Sequence, residues 1–93
     1  MDKAWLKSYP DGMPETVDIN AYQSVSEVFE KSVIRYSDRP AFSNLGTTLT
    51  YSEMDQLTGH LASYLQRLPD MKQGDRVAIM MPNVLQNPIA IFA

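Results

Sequence analysis

Residues 74–93 read GDRVAIMMPNVLQNPIAIFA and carry the strongest fold signal in the chain. Five consecutive apolar side chains, Val77–Met81, follow the charged pair Asp75 and Arg76. A strand that is apolar at every position is typical of a parallel sheet whose two faces are both covered by helices. We therefore predict a buried strand at 77–81 within an α/β fold.

A turn and a helix should follow this strand. Pro82 and Asn83 form a short connection, and Asn83 can cap a helix that starts at Val84. Pro88 lies inside that helix and should kink or delay it. A strand covered on both faces needs more neighbours than the preceding residues supply. We therefore expect the chain to be the opening of a larger α/β domain, interrupted inside a helix.

Two helices are predicted before the strand. Ser24 and Glu27 have the spacing of a capping box. Apolar residues then recur at helical spacing up to the Ser37–Pro40 stop: Val25, Val28, Phe29, Val33 and Tyr36. Ser52 is the expected cap of the second helix, which ends before Pro69. Its apolar stripe consists of Met54, Leu57, Leu61, Ala62, Leu65 and Leu68.

A β-hairpin is predicted between the two helices. Residues 41–44 and 47–51 alternate between apolar and polar side chains, and Leu45 and Gly46 can form the turn. Gly46 permits the positive φ that a tight turn requires. The inward face should carry Phe42, Leu49 and Tyr51.

The predicted organisation is an N-terminal arm at 1–23 and the start of a domain at 24–93. Pro10, Gly12 and Pro14 prevent a regular helix in the arm. The arm is ordered only if its large apolar side chains reach a surface, so a docked arm and a loose terminus both remain open. These side chains are Trp5, Leu6, Tyr9 and Tyr22.

The composition excludes several classes of protein. A net charge of −3 without a basic face argues against binding to nucleic acid. The absence of cysteine excludes disulfides, thiolate metal sites and cysteine nucleophiles, and it fits a cytoplasmic location. The beginning lacks the apolar core of a secretory signal, and prolines interrupt the apolar run after Val77, against a transmembrane helix.

No active site can be assembled from these residues. The glycines Gly12, Gly46, Gly59 and Gly74 are too far apart for a phosphate-binding loop. His60 is the one histidine, so a metal site lacks ligands and a catalytic triad lacks a suitably placed serine. Asp75 and Arg76 are interpreted as a polar turn. We predict no catalytic, cofactor-binding or metal-ligating residue.

Two separated motifs are nevertheless familiar. Residues 49–54 read LTYSEM and residues 74–83 read GDRVAIMMPN, with Ala62 and Leu65 in a helix between them. Together they resemble the N-terminal opening of adenylate-forming enzymes, which include acyl-CoA synthetases, adenylation domains and luciferases. Further stretches are similar to bacterial long-chain fatty acyl-CoA synthetases: Ala4 to Leu6 with Tyr9, Pro10 and Pro14, then Tyr22 to Ser24, and Met80 to Gln86. The resemblance covers nearly the whole chain but only the first part of the family's length.

This resemblance implies that the parent enzyme activates a fatty acid with ATP and Mg²⁺ to an acyl-adenylate and transfers the acyl group to coenzyme A. The family's phosphate loop, adenine-binding segment, hinge and catalytic lysine all lie beyond Ala93. Residues 1–93 alone are therefore expected to be an inactive scaffold. The resemblance also implies a homodimer and association with the inner face of the membrane. Interface candidates are Trp5, Tyr9, Ile91 and Phe92.

Two other interpretations stay open. The parent could be a ligase for another carboxylic acid, because acyl selection depends on later residues. The chain could also be a small interaction or dimerisation module without chemistry, because large exposed apolar patches mark interfaces. In isolation we expect the chain to self-associate through its apolar end, which consists of Val84, Leu85, Ile89, Ile91 and Phe92.

Overall fold

A computed structural model describes residues 2–93 as a small α/β arrangement of three α-helices, one short 3-10 helix and a two-stranded sheet. In chain order the elements are the 3-10 helix Ala4–Ser8, α1 Val25–Tyr36, β1 Pro40–Asn44, β2 Thr47–Thr50, α2 Tyr51–Gln66 and α3 Gln86–Phe92.

Helix α1 begins where the sequence predicts. The Ser24 hydroxyl accepts a hydrogen bond from the Glu27 backbone N–H at 3.1 Å. The Glu27 carboxylate in turn accepts from the Gln23 backbone N–H at 2.5 Å, one residue earlier than in a standard capping box. It also lies 2.8 Å from the Lys31 ammonium, one helical turn further on. The predicted start of α1 is confirmed.

The start of α2 differs from the prediction. Thr50, and not Ser52, is the cap: its hydroxyl accepts from the Glu53 N–H at 3.2 Å, and the Glu53 carboxylate accepts from the Thr50 N–H at 2.9 Å. Ser52 lies inside the helix, and its N–H donates to the Ser37 carbonyl at 2.9 Å. The predicted cap is wrong because β2 runs directly into the helix, which leaves Thr50 as the last residue with extended backbone.

The predicted hairpin is confirmed, but two details of it are wrong. Tyr51, placed in the second strand by the prediction, is the first residue of α2, and Phe42, predicted on the inward face, is 37% exposed. β1 and β2 are antiparallel, with Phe42 opposite Leu49 and Asn44 opposite Thr47. Leu45 and Gly46 form the turn with φ of 48° and 81°, so both central residues have positive φ. Such a turn matches the twist of a two-residue hairpin.

The core is small and centres on α2. Met54 is fully buried, Phe29 on α1 is 8% exposed and Thr58 is 4% exposed. The Thr58 hydroxyl donates to the Asp55 carbonyl at 2.9 Å, so this buried polar group is satisfied. Most of the predicted stripe is half-buried, whereas Leu57 is exposed.

Helix α3 starts two residues later than predicted. Leu85, and not Asn83, occupies the cap position, and no side chain caps the helix. Pro88 is the third helical residue, in the first turn, where backbone N–H groups have no partner within the helix. The sequence predicted that Pro88 would either kink or delay the helix. The late start of α3 agrees with a delay.

The strand predicted at 77–81 is not formed. This segment has no helix or strand assignment, and Val77 and Met80 are 58% and 97% exposed. A strand exists only beside a second strand that exchanges backbone hydrogen bonds with it. Within residues 2–93 the sheet consists of β1 and β2 alone, so the prediction of a buried strand is wrong for this structure.

The chain is extended for its length. Its radius of gyration is 17.4 Å, whereas a compact domain of this length has about 12 Å. Trp5 is 50% exposed, and the 3-10 helix contacts no other helix or strand of the described residues. The ring of Tyr22, at the end of the arm, lies 5.3 Å from the Lys31 ammonium of α1, so the choice between a docked and a loose arm stays a prediction. No helix between residues 2 and 93 has the length and apolar character needed to cross a membrane.

Candidate functional site

Helices α1 and α3 and strand β1 surround a concave apolar surface. The rings of Phe29 and Phe92 stack with centroids 4.5 Å apart and an interplanar angle of 11°, which joins α1 to α3. Phe42, at the centre of β1, is 37% exposed and borders a groove on each side. We call these two depressions the Phe42 grooves.

The first Phe42 groove lies between α1 and the hairpin and has a volume of about 300 Å³. Its polar groups are the hydroxyls of Ser32 and Tyr51. The Ser32 hydroxyl donates to the Val28 carbonyl at 2.8 Å, so it is satisfied by its own helix. The groove is therefore suited to apolar groups. It is lined by Val25, Val28, Phe29, Ser32, Phe42, Tyr51 and Phe92.

The second Phe42 groove lies between the hairpin and the start of α3 and has a volume of about 310 Å³. The Asn44 side-chain amide donates to the Asn83 carbonyl at 3.0 Å and holds the end of β1 against the segment before α3. The Asn87 amide lies 3.4 Å from the Pro82 carbonyl. Apolar lining groups include Val84, Leu85, Pro88 and Ile91.

The predicted interface residues fall in two separate places. Ile91 and Phe92 border the Phe42 grooves, with Ile91 56% exposed. Trp5 and Tyr9 belong to the arm, whose 3-10 helix contacts none of the other described elements. The structure thus brings the α3 candidates together with Phe42 and does not bring the arm candidates to them.

The Phe42 grooves are lined without charged or nucleophilic catalytic groups. Their lining includes no carboxylate, amine or imidazole. Over residues 2–93, no three His, Cys, Asp or Glu side chains are grouped so that they could hold a metal ion. Gly12, Gly46 and Gly74 have positive φ in three separate turns and do not form one phosphate cradle.

Among residues 2–93, two ionisable groups have a shifted pKa, and both have a structural role. The pKa of Glu27 is lowered because its carboxylate accepts the Gln23 N–H and, secondarily, pairs with Lys31. The pKa of Lys31 is raised by its hydrogen bond to Glu27. Both groups are on α1 and stabilise its first turns. His60 is exposed on α2, and the Asp75 carboxylate accepts from the Lys72 N–H at 2.8 Å within the predicted polar turn.

The link between Asn44 and Asn83 was missed by sequence reasoning, which gave Asn44 a strand position and Asn83 a helix cap. The residues are 39 positions apart. Asparagine is common in both local roles, so the sequence holds no signal that pairs them.

Comparison with known families identifies the chain. The sequence profile described as AMP-binding enzyme matches residues 29–93. This region includes most of α1 and all later helices and strands. The chain belongs to the AMP-binding enzyme family. The matched region contains all lining residues of the Phe42 grooves except Val25 and Val28.

Several curated members of the AMP-binding family are similar to the chain over nearly its whole length. It is 46% identical over 92 residues to a long-chain-fatty-acid–CoA ligase of Yersinia pestis and 42% identical to one of Haemophilus influenzae. Each alignment covers 99% of this chain and 16% of the relative. A 2,3-dihydroxybenzoate–AMP ligase of Bacillus subtilis is 31% identical over 88 residues, 91% of this chain and 16% of that protein. No solved structure matches the chain.

Proposed function

We propose that the chain is the opening part of an AMP-forming long-chain fatty acid–CoA ligase. The observation that carries this proposal is the 42–46% identity to ligases of that name over 92 residues. The chain spans 16% of the length of these relatives. It would form the beginning of the large N-terminal α/β domain of the ligase.

In this proposal residues 1–93 are scaffold. The parent enzyme joins a fatty acid to AMP with release of pyrophosphate, and then exchanges AMP for the thiol of coenzyme A. ATP, Mg²⁺ and coenzyme A are bound elsewhere in the parent, because the described residues offer no phosphate cradle and no group of metal ligands. The contribution of the Phe42 grooves is to pack against the remaining domain.

The test is an assay of the protein encoded by the whole reading frame that contains this chain. Purified protein is given ATP, Mg²⁺, coenzyme A and fatty acids of increasing chain length, and AMP and acyl-CoA are measured. We expect activity with long-chain acids and none from residues 1–93 alone. Absence of acyl-CoA with every acid would overturn the proposal.

A second candidate is a ligase for a different carboxylic acid. The similarity to the 2,3-dihydroxybenzoate–AMP ligase favours keeping it, although its 31% identity is lower than the 46% identity of the Yersinia pestis long-chain-fatty-acid–CoA ligase. Aromatic acids belong in the same assay. AMP formation with aromatic acids and none with fatty acids would replace the first candidate by the second.

We further propose that the parent is a cytoplasmic homodimer that binds the inner membrane peripherally. The exposed Trp5 and Tyr9 of the arm support a surface for these contacts. Light scattering of the parent and sedimentation with phospholipid vesicles test the two parts separately. A monomer, or a protein that stays in the supernatant at every lipid concentration, would contradict the corresponding part. If the parent has no ligase activity and the isolated chain dimerises, a small interaction module is the better description.

A further inference from the structure

We propose that Lys31 anchors the N-terminal arm to α1, so that the arm has a fixed base at Tyr22 and a tip that is not attached to the domain. This role goes beyond the proposed function, which assigns contact residues to the arm but no attachment. Lys31 is a positioning residue in this proposal, because it acts on the arm and not on a substrate.

The contact between Tyr22 and Lys31 joins the arm to the helix. The Lys31 ammonium lies over the Tyr22 ring, 5.3 Å from its centroid. A cation within about 6 Å of a ring centroid is attracted by the negative face of the ring. Tyr22 belongs to the arm, and Lys31 belongs to the second turn of α1. The direction in which the arm leaves α1 is therefore set by a side chain of the helix.

Glu27 holds the Lys31 side chain in position. Its carboxylate lies 2.8 Å from the Lys31 ammonium, one helical turn away. The same carboxylate accepts the Gln23 N–H at 2.5 Å, and Gln23 directly follows Tyr22. Glu27 therefore fixes both the cation and the backbone beside the ring, so that less conformational entropy remains to be lost when the two groups meet.

The backbone on either side of Tyr22 is ordered by local hydrogen bonds. Before it, the Asp18 carbonyl accepts the Ala21 N–H at 3.2 Å, which closes a turn. After it, the Ser24 hydroxyl caps the first turn of α1. A turn and a helix cap thus enclose the short segment that presents the ring to α1.

The rest of the arm is bonded only to itself within the part of the chain that the structure describes. Every hydrogen bond and ion pair of residues 2–20 stays within the arm, including the ion pair between Lys3 and Glu15. Trp5, which is 50% exposed, lies in this tip. Polar attachment of the arm to α1 thus begins at Tyr22. Loss of the contact with Lys31 should free the base and leave the tip unchanged.

Chymotrypsin digestion of the intact protein encoded by the whole reading frame tests the anchor. Cleavage after Tyr22 reports on the base and cleavage after Trp5 reports on the tip, and mass spectrometry measures the ratio of the two initial rates. Cleavage follows the population in which a segment is detached. Lys31→Met removes the charge and should raise the ratio about 2- to 5-fold, the factor that corresponds to an exposed cation–π contact. An unchanged ratio would overturn the proposal.

Two matched variants separate the contact with Tyr22 from a general effect of charge on α1. Lys31→Arg keeps a cation for the ring and for Glu27, so the ratio should stay at the wild-type value. Arg35→Met removes a cation from the same helix, but the Arg35 guanidinium lies over the ring of Tyr36, 5.2 Å from its centroid. It should also leave the ratio unchanged. A rise in either variant equal to that of Lys31→Met would overturn the proposal.

Tyr22→Leu completes a double-mutant cycle, which keeps the test valid if Lys31→Met weakens α1 itself. Chymotrypsin also cleaves after leucine, which has no ring to attract the cation. We expect Lys31→Met to raise the ratio in the wild-type background and to leave it unchanged in the Tyr22→Leu background. An equal rise in both backgrounds would show that Lys31 acts through the helix, against the proposal. Ligase activity is assayed separately, so a protein that gives the expected ratios without activity rejects the proposed function alone.

Discussion

The ring of Phe92 stacks on the ring of Phe29 with their centroids 4.5 Å apart. The two residues are separated by most of the chain, and their contact closes α3 onto α1. Helix α3 has seven residues, which is too short to be stable alone. The position of α3, and with it the shape of the Phe42 grooves, therefore depends on packing against α1, where this aromatic pair lies, and against α2.

Phe92→Ala should lower the free energy of unfolding by about 2 kcal/mol, because it removes apolar contact and the aromatic stack. Urea denaturation followed by circular dichroism measures the change. Ile91→Ala is the matched control, since Ile91 is the neighbouring residue and is 56% exposed. It should cost less than about 1 kcal/mol. Equal effects of the two substitutions would contradict the assigned role of the stack.

Thr50→Ala should destabilise the chain by about 1 kcal/mol, because it removes the hydroxyl that caps α2. Ser52→Ala is the control, since Ser52 matches the sequence pattern of a cap but lies inside the helix. It should change the free energy of unfolding by less than about 0.5 kcal/mol. If Ser52→Ala lowers the free energy of unfolding more than Thr50→Ala does, Ser52 is the cap and the assignment to Thr50 is wrong.

Leu45→Asn should stabilise the hairpin by about 0.5–1 kcal/mol, because leucine at positive φ brings its Cβ close to backbone oxygen and asparagine tolerates this conformation. Leu45 has a φ of 48° and is 95% exposed, so no packing is lost. The midpoint of thermal unfolding measures the gain. Leu45→Val, which is β-branched, should move the midpoint in the opposite direction, and a gain from valine would be incompatible with the turn described.

The stability of α1 should fall in acid through Glu27. Its pKa is lowered in the folded chain by the Gln23 N–H and by Lys31. Its contribution is thus complete above the unfolded glutamate pKa of about 4.3 and is lost as the pH falls through the lower folded value. The free energy of unfolding is measured between about pH 3 and pH 6 for the wild type and Glu27→Gln.

The Glu27→Gln variant should show a smaller loss of stability over this range, since glutamine does not titrate. Glu30→Gln is the matched control: it removes the same charge from α1 but leaves the bond to Gln23 in place. A wild-type slope retained in Glu27→Gln would show that other groups cause the acid sensitivity.

Local elements were predictable because their signals are local. Ser24 and Glu27 placed the start of α1, and the positive φ available to Gly46 placed the turn of the hairpin. The predicted caps of α2 and α3, Ser52 and Asn83, were misplaced, because the backbone before each helix enters it at a different residue, Thr50 for α2 and Leu85 for α3. Both predicted caps take part in long-range hydrogen bonds instead: the Ser52 N–H donates to the Ser37 carbonyl, and the Asn83 carbonyl accepts from the Asn44 side chain.

The sequence by itself determined the helices, the hairpin and the resemblance that identifies the family, since periodicity, capping chemistry and motif spacing are all contained within short stretches. It also showed that 77–81 is suited to an interior strand. Only the tertiary structure decided that this segment has no partner among residues 2–93 and that Phe29 meets Phe92. The physical reason is that a strand needs a neighbouring strand and an aromatic stack needs a second ring. Both partners come from distant parts of the sequence, and only the folded chain brings them together.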